Sequence, residues 1–199
     1  VSQRAFFSWS GGKDSMLALH RALAAGWRVE ALLAMFDEDG QRSRSHAIPP
    51  HLMQAQADAL GIPLVIGQAG WADYEAVFTR HLQRFAAQGL THGLFGDIDL
   101  QPHRDWEEKV CAAAGLRAEL PLWQGHRRAL VDELLALGYR ARVGVSMHAS
   151  STRVSAAASS MPALSRICPK ASTPAARTAS STPSSSMARA SRSRWRTNW

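Results

Sequence analysis

Between residues 4 and 143, short apolar runs alternate with stretches whose apolar positions recur every three or four residues. The runs at 5–9, 29–36, 63–66, 93–95 and 140–143 predict strands, and the periodic stretches at 14–25, 51–60, 71–88, 105–114 and 128–137 predict helices. Gly26, Gly61, Gly89, Gly115 and Gly138 each follow one of these helices, where a left-handed residue commonly ends the last turn. Helix and strand in strict alternation predict an α/β protein with a parallel sheet covered on both faces. About 140 residues are enough to bury one core.

The pattern stops near Gly144. The first 144 residues hold 15 Lys and Arg and all 16 Asp and Glu, whereas residues 145–199 hold 8 basic and no acidic residues. The high net charge therefore belongs to the tail, and the near-neutral first part disfavours nucleic acid as a partner. Two domains are expected: 1–144 globular, and 145–199 a Ser-, Ala- and Arg-rich disordered tail. On composition the tail reads as a basic arm seeking RNA or a membrane. It also reads as a translation in the wrong frame. Codons for Ile167-Cys168-Pro169-Lys170-Ala171-Ser172-Thr173-Pro174 can be chosen so that, one base earlier, they encode Asp-Leu-Pro-Glu-Gly-Val-Asp-Pro. Continued through Ala188, that frame permits a Gly-Glu-Asn-Gly-Glu-Phe-His-Thr run, so a frameshift near Gly144 is expected. With no leader, membrane span or internal repeat in the pattern, the chain reads as cytoplasmic, with no membrane partner.

The chemistry concentrates in Ser10-Gly11-Gly12-Lys13-Asp14-Ser15, which lies between the first strand and the first helix. A strand, a glycine turn and a helix present free backbone N–H groups to a phosphate. The glycines allow the backbone to approach an anion closely, and Lys13 adds a point charge. Ser10 and Ser15 add hydroxyl donors, and Asp14 makes sense beside phosphates mainly as a ligand to Mg²⁺. A Walker loop needs four residues between its first glycine and its Gly-Lys pair, so this is a different device. The plainer reading is a glycine-rich strand-to-helix turn.

The hexapeptide resembles the PP-loop of the ATP pyrophosphatases, which cleave ATP between its α and β phosphates. Gly96-Asp97-Ile98, Arg104, Glu108, Val110-Cys111 and Leu120-Pro121-Leu122-Trp123 together resemble the central signature of the diphthine–ammonia ligase family. Phe36-Asp37-Glu38-Asp39-Gly40, His46 and the run from Gln56 to Leu64 match that family's usual sequence, as does the Gly-Glu-Asn-Gly-Glu-Phe-His-Thr string of the shifted frame. The resemblance implies a Rossmann-like, three-layer adenine nucleotide α-hydrolase fold, with ATP and Mg²⁺ as cofactors. It implies adenylation of a substrate carboxylate with pyrophosphate release, then amidation by ammonia. The family's substrate is a modified histidine on a translation elongation factor, and a homodimer is compatible with the pattern.

On that resemblance Ser10, Gly11, Gly12, Lys13, Asp14, Ser15 and His46 bind nucleotide. Asp14 and Asp97 hold the metal, and Lys13, Asp14, Asp97, Arg104 and Glu108 form the catalytic set. Each residue also has a plain structural reading. Asp97 could cap a turn, Arg104 could be a solvated surface arginine, and Glu108 could be its salt-bridge partner at i,i+4 spacing. His46 could be an exposed loop histidine, and Trp71 and Trp123 read as core or lid packing. Cys111 inside a helix and Cys168 in the tail form no CxxC pair, which disfavours a sulfur-inserting enzyme. A tRNA-modifying PP-loop enzyme and a truncated ATP-binding module remain as alternatives.

Overall fold

A computed structural model describes residues 3–142, and these form five strands and five helices in strict alternation. The strands are β1 (Arg4–Ser8), β2 (Arg28–Phe36), β3 (Leu64–Gln68), β4 (His92–Leu94) and β5 (Arg117–Glu119). The helices are α1 (Lys13–Ala24), α2 (Pro50–Leu60), α3 (Tyr74–Ala87), α4 (Gln101–Ala113) and α5 (Arg127–Ala136). The sheet is parallel throughout, in the order β3-β2-β1-β4-β5.

The period of two along β1 assigns its side chains to two cores. Ala5 and Phe7 join Leu17 and Ala18 of α1, Met53 and Ala57 of α2, and Leu130 and Leu134 of α5. Phe6 points the other way, stacked on Phe85 at 5.0 Å and edge-on to Phe95 at 6.0 Å. Phe78 of α3 and Trp106 of α4 extend that second layer, with ring centroids 5.0 Å apart. Each fully buried phenylalanine contributes about 2–3 kcal/mol. Gly93 makes this packing possible, because a Cβ there would stand 2.7 Å from the Phe6 ring and 3.0 Å from Cys111 Sγ.

Sequence and structure differ at the carboxyl side of the sheet. The fifth strand is Arg117–Glu119, whose exposed-intermediate-exposed pattern carries no apolar signal. Residues 140–142, expected as a strand, have no regular secondary structure. A turn at Gly138 follows α5, and beyond it the apolar character of 140–143 rests on Ala141 and Val143, which alternate with two arginines. All five glycines expected after helices have positive φ, from 67° at Gly61 to 87° at Gly26. The tail reading and the shifted-frame motif lie outside the described residues.

The chain runs β1, β2, β3 outward to one edge and then crosses back to place β4 on the other side of β1. The reversal opens a crevice at the carboxyl ends of β1 and β4, the position where open α/β sheets take ligands.

Candidate nucleotide site

The loop after β1 fills that crevice. Gly11 has φ +75°, a conformation that side chains disfavour, and Gln56 of α2 braces it by donating from Nε2 to Gly11 O at 3.3 Å. Gln56 Oε1 in turn accepts from Trp9 Nε1 at 3.0 Å, so the end of β1, the loop and α2 are tied together. Inside the loop the Ser10 and Ser15 hydroxyls lie 2.6 Å apart, and the Gly12 N–H donates to Ser10 Oγ at 3.3 Å. Gly12 is the N-cap of α1 and has no side-chain cap, so the first turn directs free N–H groups at the crevice.

Two neighbouring chain segments press closely on this loop at glycines. A Cβ on Gly12 would stand 2.3 Å from His46 Nε2, and one on Gly96 would stand 3.1 Å from Ser15 N. His46 thus leans over the loop from the segment after β2. That segment is pinned by the buried Ser43, whose Oγ accepts from Ile48 N at 3.0 Å, and it carries Ala47 at φ 52°. Gly96 brings the segment after β4 against the start of α1, with Asp97 next in the chain.

Lys13 Nζ donates to Asp14 Oδ2 at 2.7 Å, and both side chains are partly open to solvent. Asp97 Oδ1 lies 2.8 Å from His103 Nδ1. Arg104 Nε donates to Glu108 Oε1 at 2.7 Å at i,i+4 spacing, and its guanidinium lies 5.0 Å from the Trp123 ring centroid. The expected Arg104–Glu108 pair therefore exists, on an exposed face of α4. Among the described residues no three His, Cys, Asp or Glu side chains form a cluster able to hold a metal alone. Mg²⁺ does not require such a cluster, since it keeps waters and takes one or two carboxylates plus phosphate oxygens.

The residue that sequence reasoning passed over is Glu107, one position before the chosen Glu108. Glu107 is 4% exposed and its Oε2 has no hydrogen-bond partner. Burial, then the hydrogen bond and charge of Asp97, push its carboxyl up to about 10, so it is protonated at neutral pH. The signal was present in helical spacing, because Glu107, Val110 and Cys111 form the buried stripe of α4. Burial and the Glu107 charge push the Cys111 thiol up to about 12, consistent with a packing residue. Trp71 is not in the core: it is 82% exposed, with the Arg44 guanidinium 4.5 Å from its ring centroid.

A glycine loop at a helix start, in the switch-point crevice of a parallel sheet, defines a PP-loop-type α/β protein. The family model for the diphthamide synthase N-terminal domain matches residues 3–118, and the chain belongs to that family. This places it in the PP-loop class of ATP-utilising enzymes. No curated protein matches the sequence. A solved structure described as a predicted subunit of tRNA methyltransferase from Methanocaldococcus jannaschii aligns with TM-score 0.47 and 17% identity, over 67% of this chain and 76% of that one. No helix among the described residues is long and apolar enough to cross a membrane.

Proposed function

We infer that this chain spends ATP in the β1–β4 crevice to convert a carboxylate into an amide. The substrate oxygen attacks the α-phosphorus, the bond to the β-phosphate oxygen breaks, and pyrophosphate leaves. Ammonia then attacks the acyl carbon, AMP departs, and one proton is released. The observation that carries this reading is the bare backbone of Gly11 and Gly12 at the start of α1, where a Cβ would collide with Gln56 and His46. Such a cradle suits an anion whose charge grows as pyrophosphate departs.

Within this reading Ser10, Gly11, Gly12 and Ser15 hold the phosphates by N–H and hydroxyl donation, and Lys13 supplies positive charge. His46 closes over the loop. Asp14 and Asp97 would hold Mg²⁺, which neutralises phosphate charge when bound. Arg104, oriented by Glu108, presents its guanidinium to the substrate carboxylate, a planar group that arginine matches with paired N–H donors.

The test is product analysis by ³¹P NMR on the full chain with ATP, Mg²⁺, ammonium and a panel of carboxylates that includes histidine-derived acids. AMP and pyrophosphate in equal amounts, with an amide product, support the reading. ADP and phosphate contradict it, and a requirement for tRNA would point to nucleic-acid modification.

The reading of 145–199 as out of frame rests on the loss of every acidic residue after Glu133. Sequencing genomic DNA across the codons for 140–149 tests it. One inserted or missing base supports the frameshift, and an unchanged sequence makes the basic tail a real product.

A further inference from the structure

A second cation is tied to the segment that packs on the start of α1. Arg127, the first residue of α5, forks onto Asp99: Nε donates to Oδ2 at 2.8 Å and Nη2 to Oδ1 at 2.7 Å. Asp99 belongs to the same segment as Gly96 and Asp97, which packs on Ser15. Gln124 N donates to Ile98 O at 2.6 Å, so the turn before α5 is fastened to that segment as well. Gln124 takes φ 59° to make this turn. Between the two segments lies a cleft of about 370 Å³ lined by Asp99, Gln124, Gly125, His126 and Arg127.

The Arg127–Asp99 pair is well formed yet exposed, with side chains 69% and 43% accessible. Exposed ion pairs contribute little net stability, so this one is readily exchanged. A pyrophosphoryl group carries several negative charges and presents paired oxygens that a guanidinium fork matches. Its greater charge favours exchange with a single exposed carboxylate.

We propose that Arg127 is a phosphate-positioning residue governed by Asp99, exchanging that carboxylate for the pyrophosphoryl oxygens of a nucleotide or of free pyrophosphate held on the Gly11-Gly12 loop. This rests on the PP-loop reading of the site. Asp99 then sets how tightly pyrophosphate is held, and the return of Arg127 to Asp99 assists its release.

Calorimetric titration of the full chain with Mg²⁺–pyrophosphate, Mg²⁺–ATP and AMP tests the exchange. Arg127→Ala is expected to weaken pyrophosphate binding about tenfold, the loss of one charge-assisted contact, with AMP affinity unchanged. Asp99→Asn is expected to tighten pyrophosphate binding about threefold by freeing the arginine. Simple removal of a negative charge would also tighten it, so the double variant decides. In the Arg127→Ala background Asp99→Asn is expected to change little, because the two residues act as one unit. An equal gain in both backgrounds overturns the proposal, as does undiminished pyrophosphate affinity in Arg127→Ala. Thermal melts close to the parent's show that the variants are folded. If the parent chain binds neither ATP nor pyrophosphate, the PP-loop reading falls with the proposal. If the parent binds both, Gly12→Ala abolishes binding and Arg127→Ala leaves it unchanged, only the proposal falls.

Discussion

The imidazole of His46 rests on the backbone of Gly12, so that a Cβ there would meet Nε2 at 2.3 Å. His46 is exposed, so its ring can swing aside with little loss of stability. Gly12→Ala is therefore expected to cost under about 1 kcal/mol in urea denaturation. It is expected to weaken ATP binding about tenfold or more, because the new methyl occupies the phosphate approach. Adding His46→Ala removes the collision and should leave ATP binding impaired, which calorimetry can check.

Glu107 gives the fold an unusual pH response. Its carboxyl stays protonated in the folded chain up to about 10, whereas an unfolded glutamate ionises near its ordinary value. Between those values the unfolded state has shed a proton that the folded state retains. Stability from this group is thus full in acid and falls as pH rises towards 10. Glu107→Gln keeps a donor for Asp97 and removes the ionisation. It is expected to be more stable than the parent by about 1–3 kcal/mol at pH 8 and nearly equal near pH 4. Urea denaturation at the two pH values measures this, and equal gains at both would contradict the assignment.

Much of the fold was legible because it rests on periodicity. The central strands β1 and β2 are nearly continuous apolar runs, and the amphipathic helices announced themselves by their three-four spacing. β5 was not legible, since Arg117-Ala118-Glu119 is an edge strand with little buried side chain and exists through its pairing with β4. In the site, the glycine loop could be read from its residues alone. Which of two adjacent glutamates is buried could not be read from the motif, which singles out Glu108. The helical phase of Val110 and Cys111 selects Glu107. The Arg127–Asp99 pair spans 28 residues and needs the fold to bring it together.

Cys111 is a packing residue with its thiol pushed up to about 12. Mapped by peptide mass, alkylation of Cys111 by iodoacetamide is expected to be absent in the native chain and complete in denaturant. Cys111→Ala should destabilise by about 1–2 kcal/mol and leave ATP consumption intact. Fast native alkylation would contradict the buried placement.

Arg21 ties α1 to α5, donating to both carboxylate oxygens of Glu133 at 3.0 and 2.5 Å and to Pro121 O at 3.1 Å. Because the pair is more than a third exposed, Arg21→Ala is expected to cost only about 0.5–1 kcal/mol globally. Amide hydrogen exchange should speed up in α5 more than in α2. Uniform acceleration across both helices would contradict a local tie.

The claim that ATP sits on the Gly11-Gly12 loop is tested most directly by residue-resolved NMR of the full chain titrated with α,β-methylene-ATP and Mg²⁺. That analogue cannot be cleaved between its α and β phosphates. The PP-loop assignment predicts saturable amide shifts that are largest at residues 11–15 and at Gly96, with His46 following. Shifts that do not saturate, or that peak elsewhere on the sheet, would contradict it.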